Sequence, residues 1–134
     1  MPQDFRDMPV WQNATALVTE VYKATESFPN DEKFGLTSQL RRAAISIPSN
    51  ISEGCGRNTA GQQRQFLGYA KGSACEVETQ LIIATNLGYI KDPQPLMDKL
   101  NAVATGVNDL LDHSVQETSK GRKRVATVRA ILLY

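Results

Sequence analysis

Apolar residues recur at three- and four-residue steps in four stretches of the chain, and each stretch predicts an amphipathic helix. In the first, about Pro9 to Ser27, the residues Trp11, Ala14, Leu17 or Val18, Val21 and Thr25 fall on one face. Asp7 is placed to cap this helix with Pro9 in its first turn, and Pro29, Asn30 and Asp31 close it. The second begins near Asp31 and repeats Leu36, Leu40, Ala43 or Ala44, Ile47 and Ile51. The third follows a glycine-rich connection, where Thr59 and Gln62 read as a capping box. Its face is Phe66, Ala70, Ser73 or Ala74, Val77, Leu81, Ala84 and Leu87, and Gly88 is placed to end it in the left-handed conformation. Asp92 and Pro93 open the fourth, whose seam is Leu96, Leu100, Val103, Val107, Leu110 and Ser114.

Four helices on short connections, with no alternating strand pattern, predict an all-α antiparallel up-and-down four-helix bundle over residues 1–115. A chain of 134 residues suffices for one domain with a substantial core. Residues 116–134 are different in kind. They carry Lys120, Arg122, Lys123, Arg124 and Arg129 against Glu117, a net of +4, and the remaining ten basic and thirteen acidic residues leave −3. This basic tail reads as a solvated end or as an arm that adds phosphate contacts, and its apolar close from Val125 to Tyr134 suits docking on a neighbour.

Two departures from helix rules stand out. Pro48 interrupts the second seam, where an interior proline removes a backbone bond and costs about 3 kcal/mol. One bent helix is expected there, since Gly54 and Gly56 leave little room for a second, with Ser46, Ser49 and Ser52 or water available to the freed carbonyl of Ala44. Gly68 and Gly72 each cost about 1 kcal/mol relative to Ala inside the third helix. With Ser73 they form a side-chain-poor stripe that serves either packing within the bundle or an interface between subunits.

Candidate chemistry is sparse. Cys55 and Cys75 lie too far apart for zinc-finger or CxxC spacing and read as buried thiols. His113 is the single histidine and suits the end of a helix. Glu76 and Glu78 diverge by about 200° on a helix and cannot form a dyad. No enzyme, metal or cofactor is expected. No apolar leader precedes the first helix and no apolar run approaches the roughly 18 residues of a membrane span, so a cytoplasmic protein without a membrane partner is expected. The stronger lead is basic. Arg41, Arg42, Arg57, Arg64 and Lys71 cluster around helices two and three as a phosphate-tracking surface for RNA or DNA; the alternative pairs Arg41, Arg42 or Arg57 with Glu53 or Glu76 in structural salt bridges. The second arrangement would leave a scaffold that binds another protein.

A resemblance adds to this reading. The order Phe5, Trp11-Gln-x-Ala14, Val21-Tyr22, Phe28-Pro29-x-x-Glu32-x-Phe34-Gly35-Leu36-x-x-Gln39-x-Arg41-Arg42-Ala43-Ala44-x-Ser46-Ile47-Pro48-x-Asn50-Ile51-x-Glu53-Gly54-x-x-Arg57 resembles the 23S rRNA intervening-sequence proteins, also called the four-helix bundle or S23 ribosomal protein family. Phe66-Leu67-x-x-Ala70-x-Gly72-Ser73-Ala74-x-Glu76-Val77-x-Thr79-Gln80-Leu81 and Leu87-Gly88-Tyr89 continue it, and the likeness spans about Phe5 to Ser114. It implies a bundle subunit assembled into a ring-shaped homopentamer, without catalytic activity, and a relation to the nucleic-acid-binding accessory proteins of diversity-generating retroelements.

Overall fold

A computed structural model describes the backbone of residues 4–119 and the side chains of residues 4–113. It contains four α-helices, α1 (Pro9–Thr25), α2 (Leu36–Cys55), α3 (Ala60–Asn86) and α4 (Gln94–Ser119), with 3-10 turns at Phe5–Asp7 and Asn30–Glu32 and no strand among the described residues. Each helix packs on the next, and α4 packs back on α1, so the four enclose one core. Ala14, Leu17 and Val21 of α1, Leu40, Ala44, Ile47 and Ile51 of α2, Leu67, Ala70, Val77, Leu81 and Ala84 of α3, and Leu100, Val103, Val107 and Leu110 of α4 are buried there. Truncating a buried leucine of such a set to alanine costs about 2–5 kcal/mol.

The helix ends follow local chemistry. Asp7 does not cap α1: it closes the first 3-10 turn, whose own cap is Asp4, accepting from the Arg6 N–H at 2.9 Å. Met8 occupies the cap position without a side-chain bond, and Pro9 supplies the preset φ of the first helical residue. Asn30 and Asp31 open a 3-10 turn and not α2, which starts at Leu36, where the Glu32 carboxylate accepts from the Leu36 N–H. Thr59 caps α3 as its sequence implies, accepting from the Gln62 N–H at 3.1 Å. Gly88 has φ 81° and turns the chain so that Tyr89 N–H bonds back to the Ala84 carbonyl. Asp92 accepts from the Gln94 N–H at the start of α4.

α2 continues through Pro48 as one helix, and Pro48 is buried within it. The Ser46 hydroxyl donates to Ala43 and Ser52 to Ser49, while the Asn50 amide donates to the Ser46 carbonyl, so these side chains fold back on their own helix and neither serine serves the Ala44 carbonyl that Pro48 frees. α4 runs to Ser119, four residues into the segment assigned to the tail; residues 120–134 lie outside those described, as does the side chain of Ser114. No helix among the described residues is long and apolar enough to cross a membrane.

α3 departs most from expectation. Leu67, not Phe66, faces the core, and Leu87 is 53% exposed. Cys75 is exposed on the outer side of the same helix, whereas Cys55 is buried with its Sγ 3.3 Å from Met8 Sδ. The helix carries apolar groups on two sides, because Tyr69, Ile82 and Ile83 also face outward.

Candidate functional site

α2 and α3 approach closely because the residues between them are small. Ser46 and Ser73 share a hydrogen bond across the seam, and a Cβ on Gly54 would lie 3.4 Å from the Gln63 carbonyl oxygen. Ser73 is therefore buried inside the chain, which agrees with packing within the bundle at that position of the stripe. Gly68 and Gly72 stay on that stripe: a Cβ at either position would meet nothing within 4 Å. Among the described residues, their absence of side chain has no packing role.

The five basic residues of helices two and three divide into groups. Arg41 is half-buried and anchored toward α1, where its Nε donates to Thr25 Oγ1 at 2.8 Å and its guanidinium lies 4.5 Å from the centroid of the Tyr22 ring. Arg42 is exposed, with no ion pair among the described residues. Adjacent positions on a helix diverge by about 100°, yet the two arginines border one groove, because Thr25 and Tyr22 draw the Arg41 side chain around the helix. Tyr22, Lys33, Phe34, Thr37, Ser38 and Ile45 complete that groove, whose volume is about 470 Å³. Its lining includes three cations and no carboxylate.

Arg57 stands elsewhere. It pairs with Glu53 one turn earlier and lies 4.6 Å from the Phe66 ring centroid, bordering a separate depression with Phe5, Ser52 and Gly56. Half-exposed i,i+4 pairs of this kind contribute little, about 0.3–0.5 kcal/mol. Arg64 and Lys71 share a side of α3 outside both depressions; Lys71 is exposed, and Arg64 has its Nε enclosed without a hydrogen-bond acceptor. Neither Arg41 nor Arg42 forms a salt bridge with Glu53 or Glu76.

A second groove on the α2/α3 side brings Arg42, Ser46, Ser73 and Glu76 together with Gln39 and Gln80. It places a carboxylate near a serine, but Ser46 already donates to Ala43 and shares its second bond with Ser73, so no base is aimed at its hydroxyl. His113 is distant in sequence from that groove and bonds the Asp109 carbonyl on its own helix. No group of three metal-ligating side chains occurs among the described residues.

Lys33 and Phe34 are the groove residues that spacing overlooks. Phe34 is 88% exposed, and Lys33 Nζ lies 5.5 Å from its ring centroid. Phe34 stands two residues before Leu36, in the turn that precedes α2 and off the apolar seam of that helix. No curated protein matches the chain. The family model for the 23S rRNA-intervening sequence protein matches residues 6–111, which hold α1, α2 and α3 whole, most of α4, the arginine pair and the cationic groove, and the chain belongs to that family.

Proposed function

We propose that this chain is a non-enzymatic, homo-oligomeric bundle that binds nucleic acid, RNA foremost, through basic residues around helices two and three. One observation carries the reading. Of Arg41, Arg42, Arg57, Arg64 and Lys71, Arg57 alone has a carboxylate partner among the described residues, so four cations retain charge that a polyanion can neutralise. The family's printed description, with its reference to 23S rRNA, agrees with RNA as the polyanion. An antiparallel helix order bent at Pro48, a pentameric ring, a cytoplasmic location and kinship with retroelement accessory proteins belong to the same proposal. The connection of residues 56–59 between α2 and α3 supports the first of these, since so short a link joins antiparallel neighbours. Gly68 and Gly72, open on the outside of α3, support self-association.

Fluorescence anisotropy with labelled single-stranded RNA of mixed sequence tests the binding. Affinity is expected to fall with salt at a slope of about −0.7 per phosphate contacted. Arg42→Gln with Lys71→Gln is expected to weaken binding and flatten that slope. Absent or salt-insensitive binding would defeat the proposal. A protein-binding scaffold is the second reading, and the exposed Ile82, Ile83 and Leu87 of α3 favour it.

A further inference from the structure

We propose that the α1/α2 groove around Phe34 is a site for unpaired nucleic-acid strands, with a base stacked on Phe34 and the adjoining phosphates held by Lys33, Arg41 and Arg42. This rests on the nucleic-acid reading above and narrows it to a place and a ligand class.

The ring of Phe34 is the most exposed large apolar side chain described, while Phe28, six residues earlier, is buried against Tyr89. A phenyl face presented to solvent beside cations is the arrangement that single-strand binders use, because every base has a π-face and every linkage a negative charge. The groove meets both requirements. Its cations come from two directions: Lys33 from the turn before α2, and Arg41 and Arg42 from the helix itself. Among the described residues no carboxylate lines this groove, and Glu76 borders Arg42 only in the separate α2/α3 groove. Glu32, the residue before Lys33, accepts the Tyr89 hydroxyl through Oε2 and the Leu36 N–H through Oε1, and so faces the helix start and the core edge.

Arg41 is also ordered in advance. Its Nε is fixed by Thr25 and its plane lies on Tyr22, so less side-chain freedom is lost when its remaining N–H groups take a phosphate. Ile45 and Tyr22 supply partly exposed apolar surface between the cations, suited to a ribose or a second base. A paired duplex offers none of its base faces to Phe34. The site therefore discriminates by strandedness, with sequence playing little part.

The decisive variant is Phe34→Ala, because so exposed a ring contributes little to folding and thermal melting should be unchanged. Binding of the full chain to a labelled mixed-sequence single-stranded RNA is compared with binding to the same RNA annealed to its complement. Phe34→Ala is expected to weaken single-strand affinity by roughly 5- to 100-fold, the range of one lost stack, with the salt slope unchanged and duplex affinity unaffected. Lys33→Gln is expected to do the converse, reducing the slope by about 0.7. If the wild type binds in a salt-dependent way and Phe34→Ala binds equally well, the groove assignment fails while the broader function stands. Absence of wild-type binding defeats both. Equal losses on single strand and duplex, or a fall in molecular mass by light scattering on Phe34→Ala, would overturn the assignment, the latter in favour of a groove that seats another copy of the chain.

Discussion

Gly106 of α4 lies so close to Val10 of α1 that a Cβ on the glycine would stand 2.7 Å from Val10 Cγ2 and 3.1 Å from its Cβ. The contact sets how near α1 and α4 can come. Valine is branched at Cβ and stiff in χ1, so it has little room to turn aside. Gly106→Ala should therefore lose more to overpacking, about 1–3 kcal/mol, than the roughly 1 kcal/mol that alanine gains in a helix. Chemical denaturation is expected to show net destabilisation, and adding Val10→Ala should relieve the crowding, so that Gly106→Ala is better tolerated in that background than in the wild type.

The other mid-helix glycines should behave in the opposite way. With open space around Gly68 and Gly72, alanine at either position is expected to stabilise the isolated chain by about 0.5–1 kcal/mol through helix propensity and a less flexible unfolded state. If the outer side of α3 is a subunit interface, the same methyl groups hold the copies apart. Light scattering should then report weaker self-association from variants whose melting temperature at low concentration has risen. Unchanged mass with raised stability would remove this stripe from the interface.

Thr25 and Arg41 form a coupled pair. Thr25 is 2% exposed, and its hydroxyl donates to the Val21 carbonyl at 2.8 Å while accepting from Arg41 Nε at the same distance. Thr25→Val keeps the shape and removes the acceptor, at an expected loss of about 1–2 kcal/mol, the lower part of the range for charged hydrogen bonds because Arg41 is only half-buried. Thr25→Ser should retain most of the stability. In a double-mutant cycle, Arg41→Ala is expected to cost less in the Thr25→Val background than in the wild type. The same Thr25→Val change releases Arg41 from its fixed position, so it is also expected to reduce RNA affinity without removing a charge.

The four helices were legible because each has one strong apolar stripe, as Ala14, Leu17 and Val21 or Leu100, Val103 and Val107 illustrate. α3 misleads at Phe66 and Leu87 because apolar residues occupy two of its sides, and periodicity alone does not say which side meets the core. α2 starts at Leu36, later than the position near Asp31 that the pattern suggests, because Asn30–Glu32 tighten into a 3-10 turn before the helix opens with the Leu36 N–H on the Glu32 carboxylate. The basic residue types were visible as candidates, but their division was not. It depends on where long side chains are anchored, and Arg41 is anchored by groups 16 and 19 positions earlier in the chain. Lys33 and Phe34 lie off the apolar seam of the second segment, so seam-based reasoning passes over the residues that complete the groove.

Tyr89 and Glu32 link the start of α2 to the end of α3, and their bond should contribute stability that is lost at alkaline pH. The Tyr89 hydroxyl donates to Glu32 Oε2 at 3.0 Å. That hydrogen bond, followed by partial burial and the negative charges of Glu32 and Asp31, raises the phenol above its ordinary value near 10. A phenol raised in the folded state binds its proton more tightly there than in the unfolded chain. Its contribution is therefore complete below the unfolded value of about 10 and is lost as pH rises through the folded one. Thermal melts from pH 8 to 11.5 should show wild type more stable than Tyr89→Phe at the neutral end, with the difference narrowing above about pH 10 as the phenolate forms beside the Glu32 carboxylate. Glu32→Gln keeps an acceptor and removes the charge, so it should move that narrowing to lower pH. A constant difference between wild type and Tyr89→Phe across the whole range would show that the bond to Glu32 does not hold the proton.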